Sequence, residues 1–242
     1  MRLIKLSKVA QFQTAIRAIS NFISEGNFRF NDKGISLKAI DPSQIVLVQY
    51  EAPKSFFEEF KVEPNLVGLD LDEFNKVMKR ALQKDTIEMD LNDNHLLVKL
   101  KGDLERSFRL SLIDISDEEA EIPQQEYDAK IETKARVLQE AFKDAELFGS
   151  SVVLKIEKGK FLIEARGSQG TLKTEAKSSE LFKVKAKKDV TSKYSLNFLE
   201  NIVKEADPES AVLLELKSEA PMRISYAIGD TTLQFHLAHM IL

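Results

Sequence analysis

The sequence predicts a strand-rich α+β protein of two similar domains, each with two helices packed on antiparallel β-sheets. Three observations predict it: the apolar skeleton is written twice, four amphipathic helices punctuate it, and segments of period-two alternation fill much of the remainder. Ala15, Ile16 and Phe22 recur 126 positions on as Ala141, Phe142 and Phe148, and Ala39 recurs at the same distance as Ala165. Leu71, Phe74, Val77, Met78 and Ala81 recur at 125 as Leu196, Leu199, Ile202, Val203 and Ala206, and Phe108 and Leu110 recur at 127 as Phe235 and Leu237. An offset that drifts by so little means two copies of one unit with the same order of elements. The expected division is residues 1–116 and 128–242, joined by a connecting loop over 117–127. Each copy is within the usual size range of a domain with its own core.

The elements follow in chain order. Val9, Phe12, Ala15, Ile16, Ile19, Phe22 and Ile23 keep the three-or-four spacing of one helix face. Residues 27–30 and 34–40 alternate with period two around Asn31-Asp32-Lys33-Gly34, which reads as strand, turn, strand. A strand is expected over 45–50, a second helix over 72–82, and strands over 86–91, 95–101 and 107–112. The second copy repeats the order: a helix over 135–148, strands over 152–157 and 160–165, a helix over 195–205, and strands over 211–217, 222–227 and 232–237.

Charge is distributed unevenly. Eight residues beyond the first apolar position of each helix stand Arg17, Lys79, Lys143 and Lys204, away from the apolar stripe, and the second helix adds Lys76 and Arg80. The net charge is −4, which sits poorly with phosphate binding unless acid is gathered elsewhere. It is gathered: no Lys or Arg lies between Arg109 and Lys130, a stretch holding Asp114, Asp117, Glu118, Glu119, Glu121, Glu126 and Asp128. Two readings follow: a solvated helix face beside an acidic linker, or a helical face turned to a polyanion and touching phosphates without reading bases.

With 43% hydrophobic and 31% charged residues the composition is that of an ordinary soluble globular protein. No apolar run approaches the ~18 residues of a membrane span, and the N-terminus does not read as a signal peptide, so an intracellular protein is expected. Absence of cysteine excludes disulfides and thiolate metal sites. Nine glycines form no phosphate-cradling loop, no carboxylate pair repeats at a position suited to acid–base chemistry, and His236 and His239 read as an incidental pair. No catalytic residue, metal or cofactor is expected.

Residues 34–48, Gly-Ile-Ser-Leu-Lys-Ala-Ile-Asp-Pro-Ser-Gln-Ile-Val-Leu-Val, closely resemble the signature region of the DNA sliding clamps of archaea and eukaryotes, the PCNA type. Residues 75–81, 111–114, 122–127 and 220–224 are similar to the same family in the same order, so the resemblance runs the length of the chain. It implies the DNA clamp fold: a trimeric, pseudo-sixfold ring with helices lining a hole that encircles double-stranded DNA without sequence specificity. Clamps of this family are not enzymes; they act as processivity factors that tether DNA polymerase, ligase and nucleases, and a clamp loader places them on DNA. The implied location is the cytoplasm, at the nucleoid, or the nucleus in a eukaryote.

The resemblance also implies sites. Lys76, Lys79, Lys143 and Lys204 correspond to DNA-facing residues, and helix geometry adds Arg17 and Arg80. Short clamp-binding peptides, carrying a glutamine, an aliphatic residue and two aromatics, would dock on Ile40, Ile45, Leu47, Ile122, Pro123 and Pro221. Gln44 and the backbone of Ala238 would bond the peptide's glutamine. Subunits would join by strand pairing between Glu105, Arg106, Phe108, Arg109 and Leu110 of one copy and Thr171, Lys173, Glu175 and Lys177 of the next. Two features depart from the family. The chain ends Ala238-His239-Met240-Ile241-Leu242 where an Ala-Pro-basic sequence and an acidic tail are common, and Gln13 and Thr14 replace the paired lysines of some members. Two alternatives therefore stand beside the homotrimer: one subunit of a heterotrimeric clamp of paralogues, or an interaction scaffold that does not encircle DNA.

Overall fold

The period-two segments become strands and the three-or-four segments become helices in a computed structural model, which describes residues 3–92, 94–114, 116, 120–122, 125–177, 179 and 181–242. Contacts divide the chain into two units, one of Met1–Pro42, Val48–Glu121 and Ile228–Leu233, the other of Ser43–Leu47, Ile122–Ala227 and Gln234–Leu242.

The first copy runs β1 (Leu3–Leu6), α1 (Val9–Ser20), β2 (Glu25–Asn31), β3 (Gly34–Ile40), β4 (Val46–Pro53), β5 (Glu59–Lys61), β6 (Asn65–Asp70), α2 (Leu71–Met78), β7 (Thr86–Leu91), β8 (His95–Lys101) and β9 (Glu105–Ser111). Its strands lie in the orders β5-β1-β7-β8-β9 and β4-β3-β2-β6. The second copy runs β10 (Ala129–Lys134), α3 (Ala135–Glu146), β11 (Ser151–Glu157), β12 (Lys160–Gly167), β13 (Gly170–Lys177), β14 (Phe182–Ala186), β15 (Val190–Ser195), α4 (Leu196–Val203), β16 (Ala211–Leu216), β17 (Met222–Ile228) and β18 (Thr231–Leu237). Its orders, β14-β10-β16-β17-β18 and β13-β12-β11-β15, match those of the first copy strand for strand. The duplication read from apolar offsets is thus a duplication of topology, with antiparallel pairing in both copies.

Strict alternation explains which face each strand buries. In β7 Ile87, Met89 and Leu91 are buried between half-exposed neighbours, and in β11 Val152, Leu154 and Ile156 do the same. Phe12 of α1, Phe28 of β2 and Phe74 of α2 meet edge-on at 6.2–6.3 Å between centroids, tying both helices to one sheet. In the second unit Tyr226 stacks on Phe235, and its buried hydroxyl donates to the carbonyl of Ile202 in α4 at 2.8 Å.

Each helix pair is fastened by one glutamine. Gln13 Nε2 of α1 donates to the carbonyls of Met78 and Ala81 at 2.6 and 2.9 Å, and Gln139 Nε2 of α3 donates to those of Val203 and Ala206 at 2.9 and 3.1 Å. These carbonyls lie in the closing turns of α2 and α4, where four-back donors run out and Met78 and Val203 keep only a three-back bond from Ala81 and Ala206 N–H. Gln13, noted only as the replacement of a lysine, is a helix-end cap, and it recurs 126 positions on as Gln139. Gln139→Ala is expected to cost about 1–3 kcal/mol, because the Ala206 carbonyl loses this donor and the Val203 carbonyl keeps only the Ala206 N–H, read as a lower urea midpoint at unchanged slope.

The helices are shorter than their apolar spacing suggests. The expected second helix over 72–82 ends at Met78, because Arg80 and Ala81 N–H groups turn to Val77 and Met78, three residues back. Asp85 then accepts from Leu82 N–H and closes the turn. The expected third helix over 135–148 ends at Glu146, with Phe148 and Gly149 N–H groups both bonded to Ala145 O.

Candidate nucleic-acid and partner interfaces

On the first unit, Arg17 lies in the last turn of α1, Lys76 in the last turn of α2, Lys79 at the C-cap of α2 and Arg80 just beyond. Asn75 Nδ2 donates to Ser20 Oγ at 2.7 Å, so the ends of α1 and α2 lie side by side. Lys76, Lys79 and Arg80 are exposed and Arg17 is half-buried. On the second unit, Lys143 occupies the last turn of α3 and Lys204 the C-cap of α4. Both are exposed, on the rim of an open groove of about 540 Å³ between the two helices that Gln139, Asn197, Glu200 and Asn201 also line.

Every one of these cations is therefore at a helix C-terminus, where the macrodipole favours positive charge by about 0.3–1 kcal/mol. That is a structural reason for the fourfold coincidence in sequence, and it operates whether or not a polyanion is bound. Lys76 bonds Glu73 at 2.6 Å and Lys143 bonds Glu140 at 2.7 Å, which raises both ammonium groups above the usual lysine value. Among the described residues Lys79 and Lys204 make no ion pair.

The residues expected at a peptide site have different surroundings. Ile40, in the first unit, is 45% exposed. In the second unit Ile122 is 38% exposed, Pro221 and Ala238 are half-buried, and Leu47 is only 4% exposed, a core side chain rather than an open floor. Gln44 is exposed and sits at φ 59°, the left-handed region, turning the chain into β4. Ile45 is half-buried, and its carbonyl accepts from Ala238 N–H at 2.9 Å. Pro123 lies outside the described residues, as do Asp117, Glu118 and Glu119.

Beneath Pro221 is a polar cluster that sequence reasoning missed. Gln125 Nε2 bonds the Pro221 carbonyl, Arg223 lies 5.2 Å from the centre of the Tyr127 ring, and Arg223 and Lys130 both pair with Glu215, itself 1% exposed. The end of the connecting loop is thereby tied to β16 and β17. Burial pushes the Glu215 carboxyl up, but hydrogen bonds from Arg223 and Lys130 outweigh it and hold the group below the usual glutamate range. The available signal was the pair of stretches 122–127 and 220–224, which resemble the family together.

His236, in β18, is 3% exposed, and burial followed by the charge of Arg223 lowers its imidazole to about 4. The folded protein holds it neutral while the unfolded chain protonates it near 6.5, so stability is full above that pH and falls as pH drops from 6.5 towards 4. Glu215 acts in the same direction at lower pH, losing its contribution as it is protonated. His236→Gln is expected to remove about 3 kcal/mol of the stability difference between pH 7 and pH 4, measured by urea unfolding at both.

The strands expected to join subunits are terminal in their sheets. β9 ends one sheet of the first copy and β13 ends one sheet of the second. Glu105 and Arg109 are exposed and Phe108 and Leu110 half-buried; Thr171, Lys173 and Glu175 are exposed. Arg106 is engaged within its own unit, pairing with Asp85, which is 2% exposed, and donating from Nη1 to the Arg80 carbonyl at 2.7 Å. It thereby fixes the turn that carries Arg80. Of Lys177 only the backbone is described.

Comparison with known proteins agrees with this architecture. The model of the proliferating cell nuclear antigen N-terminal domain matches residues 1–119, and that of its C-terminal domain matches residues 121–241. DNA polymerase sliding clamp 1 of Thermococcus kodakarensis is 32% identical over 224 residues, covering 91% of this chain and 90% of the relative. The DNA polymerase sliding clamp of Methanococcus maripaludis is 31% identical over 238 residues, 95% of each. The crystal structure of PCNA from Thermococcus kodakaraensis superposes with a TM-score of 0.94 at 28% identity, over 99% of this chain and 100% of that one. The chain, with both of its duplicated units matched in order, belongs to the proliferating cell nuclear antigen family of DNA polymerase sliding clamps.

Proposed function

We propose that the protein is a DNA sliding clamp, a ring of three copies that encircles duplex DNA and tethers a polymerase to it. One observation carries this reading: each copy has a sheet ending in a strand that buries no described side chain, β9 in the first and β13 in the second, while the helices of both carry exposed cations at corresponding ends. Open strand edges invite pairing with another chain. Head-to-tail contacts that close after three copies satisfy both edges and give a ring. The pairing uses Glu105, Phe108, Arg109 and Leu110 against Thr171, Lys173, Glu175 and Lys177 of the next copy.

Arg17, Lys76, Lys79, Arg80, Lys143 and Lys204 then face DNA. Contacts of this kind are few and screened by salt, so the ring holds by topology and slides. Partners, among them polymerase, clamp loader, ligase and nucleases, dock short peptides on Ile40, Gln44, Ile45, Ile122, Pro123, Pro221 and Ala238, with Leu47 supporting from the core. The domains correspond to residues 1–116 and 128–242, with 117–127 connecting them, and the site of action is the cytoplasm. No catalytic step is assigned. Among the described residues no helix is long and apolar enough to cross a membrane.

The test is native mass by light scattering, followed by retention on closed circular DNA. A mass near three times 27.4 kDa, with complexes that survive on circles and are lost on linearisation, is the expected result. A persistent monomer or dimer would point instead to paralogous subunits, and equal retention on linear DNA would remove encirclement.

A further inference from the structure

In the first unit the chain leaving β9 turns onto the outer edge of β6. Ile113 N–H donates to Gly68 O at 3.0 Å, and Asn27 Nδ2 of β2 donates to Ser116 O at 3.0 Å. A side chain at position 68 would collide with the Ile113 carbonyl, so the crossing strand lies directly on the glycine. In the second unit the chain leaving β18 makes the same move on β15, the counterpart of β6. Met240 N–H donates to Lys193 O at 2.7 Å in an antiparallel bridge. Met240 follows Ile113 by 127 positions and Lys193 follows Gly68 by 125, within the drift of the whole duplication. The C-terminal tail is thus the second copy of the first step of the connecting loop.

The same tail is anchored two residues earlier, where Ala238 N–H donates to Ile45 O at 2.9 Å. The two bonds bracket Ala238 and His239. Side chains contribute little to holding the tail, since Met240 is 41% and Ile241 90% exposed. The backbone bridge holds it, and a chain end without such a tie frays.

We infer that Met240 is a positioning residue for the partner site: its N–H bridge to β15 holds the tail so that the Ala238 backbone is presented to a docking peptide. The inference rests on the partner site proposed above. A peptide that finds the tail already ordered has less entropy to lose on binding.

Met240→Pro removes the donor and keeps the chain length, while Met240→Ala keeps the donor and removes the side chain. The probe is a synthetic peptide with a glutamine, an aliphatic residue and two adjacent aromatics, titrated calorimetrically into the full-length protein. Met240→Pro is expected to weaken binding about three- to tenfold, the worth of one net hydrogen bond, and Met240→Ala to stay within about twofold of the parent. Native mass and melting temperature should be unchanged in both, and the amide at position 240 should be protected from hydrogen exchange in the parent and in Met240→Ala alike. Parental affinity in the proline variant, or an equal loss in the alanine variant, would overturn the positioning role. A parent that does not bind the peptide would overturn the partner site itself and this inference with it.

Discussion

Arg109→Pro is expected to convert the ring, near three times 27.4 kDa, into 27.4 kDa monomers at micromolar concentration. The direction of each backbone group on β9 is fixed by one bond: Leu112 N–H donates to Asn94 O of the preceding strand's approach. In an antiparallel ladder alternate residues face the same neighbour, so Leu110, Phe108 and Arg106 also turn their N–H groups towards β8, and Arg109 and Ser107 turn theirs outward. Proline is tolerated on an edge strand where its missing N–H would have met solvent. The substitution therefore leaves the pairing of β8 with β9 intact while removing a donor, and adding a ring, where the next copy must pair. Leu110→Pro is the contrasting case, since it breaks an inward bond and should lower the stability of the unit itself by about 3 kcal/mol. A trimer that survives Arg109→Pro would remove β9 from the interface.

The parts of this fold that were legible in sequence are those whose physics is periodic and repeated. Apolar spacing located all four helices, and constant offsets showed that the copies share an order. What spacing could not show is where a helix stops, because the end of α2 is set by a turn closed by Asp85 and Arg106, residues remote from the apolar stripe. Spacing did not mark β13 and β14 for a related reason, and β13 was expected from the family resemblance alone. They alternate in exposure without burying a face, so no apolar period marks them. Gln13 and Gln139 recur at the duplication's own offset, yet a polar residue on a helix carries no sign of what it will cap. The cluster of Tyr127, Glu215 and Arg223 joins residues nearly a hundred positions apart, and only the fold brings the end of the connecting loop to β16 and β17. The basic residues lie at helix ends, five of the six exposed and Arg17 half-buried. Their common place at helix C-termini, which the macrodipole favours in any protein, appeared only once the helix ends were known.

That second explanation makes the triple substitution Lys76→Ala, Lys79→Ala and Arg80→Ala the decisive test of the DNA-facing assignment. The fold should tolerate it. All three side chains are exposed, alanine is the best helix former, and the Arg106 contact is to the Arg80 carbonyl, which survives. Loss of favourable dipole interactions costs at most about 0.3–1 kcal/mol each, so native mass should be unchanged and melting nearly so. If these cations serve only the helix dipole, nothing further follows. If they meet phosphates, loading onto primed circular DNA by the clamp loader should fall at least about tenfold near 0.1 M salt, because the opening ring must capture duplex before it is closed around it. The slope of log loading against log salt should also flatten, by up to about 0.9 for each phosphate contact removed. Rings already closed on a circle should persist as long as the parent, since topology and not contact retains them. Reduced loading with unchanged residence therefore separates capture from encirclement. Unchanged loading at every salt concentration would return these three residues to the helix dipole alone.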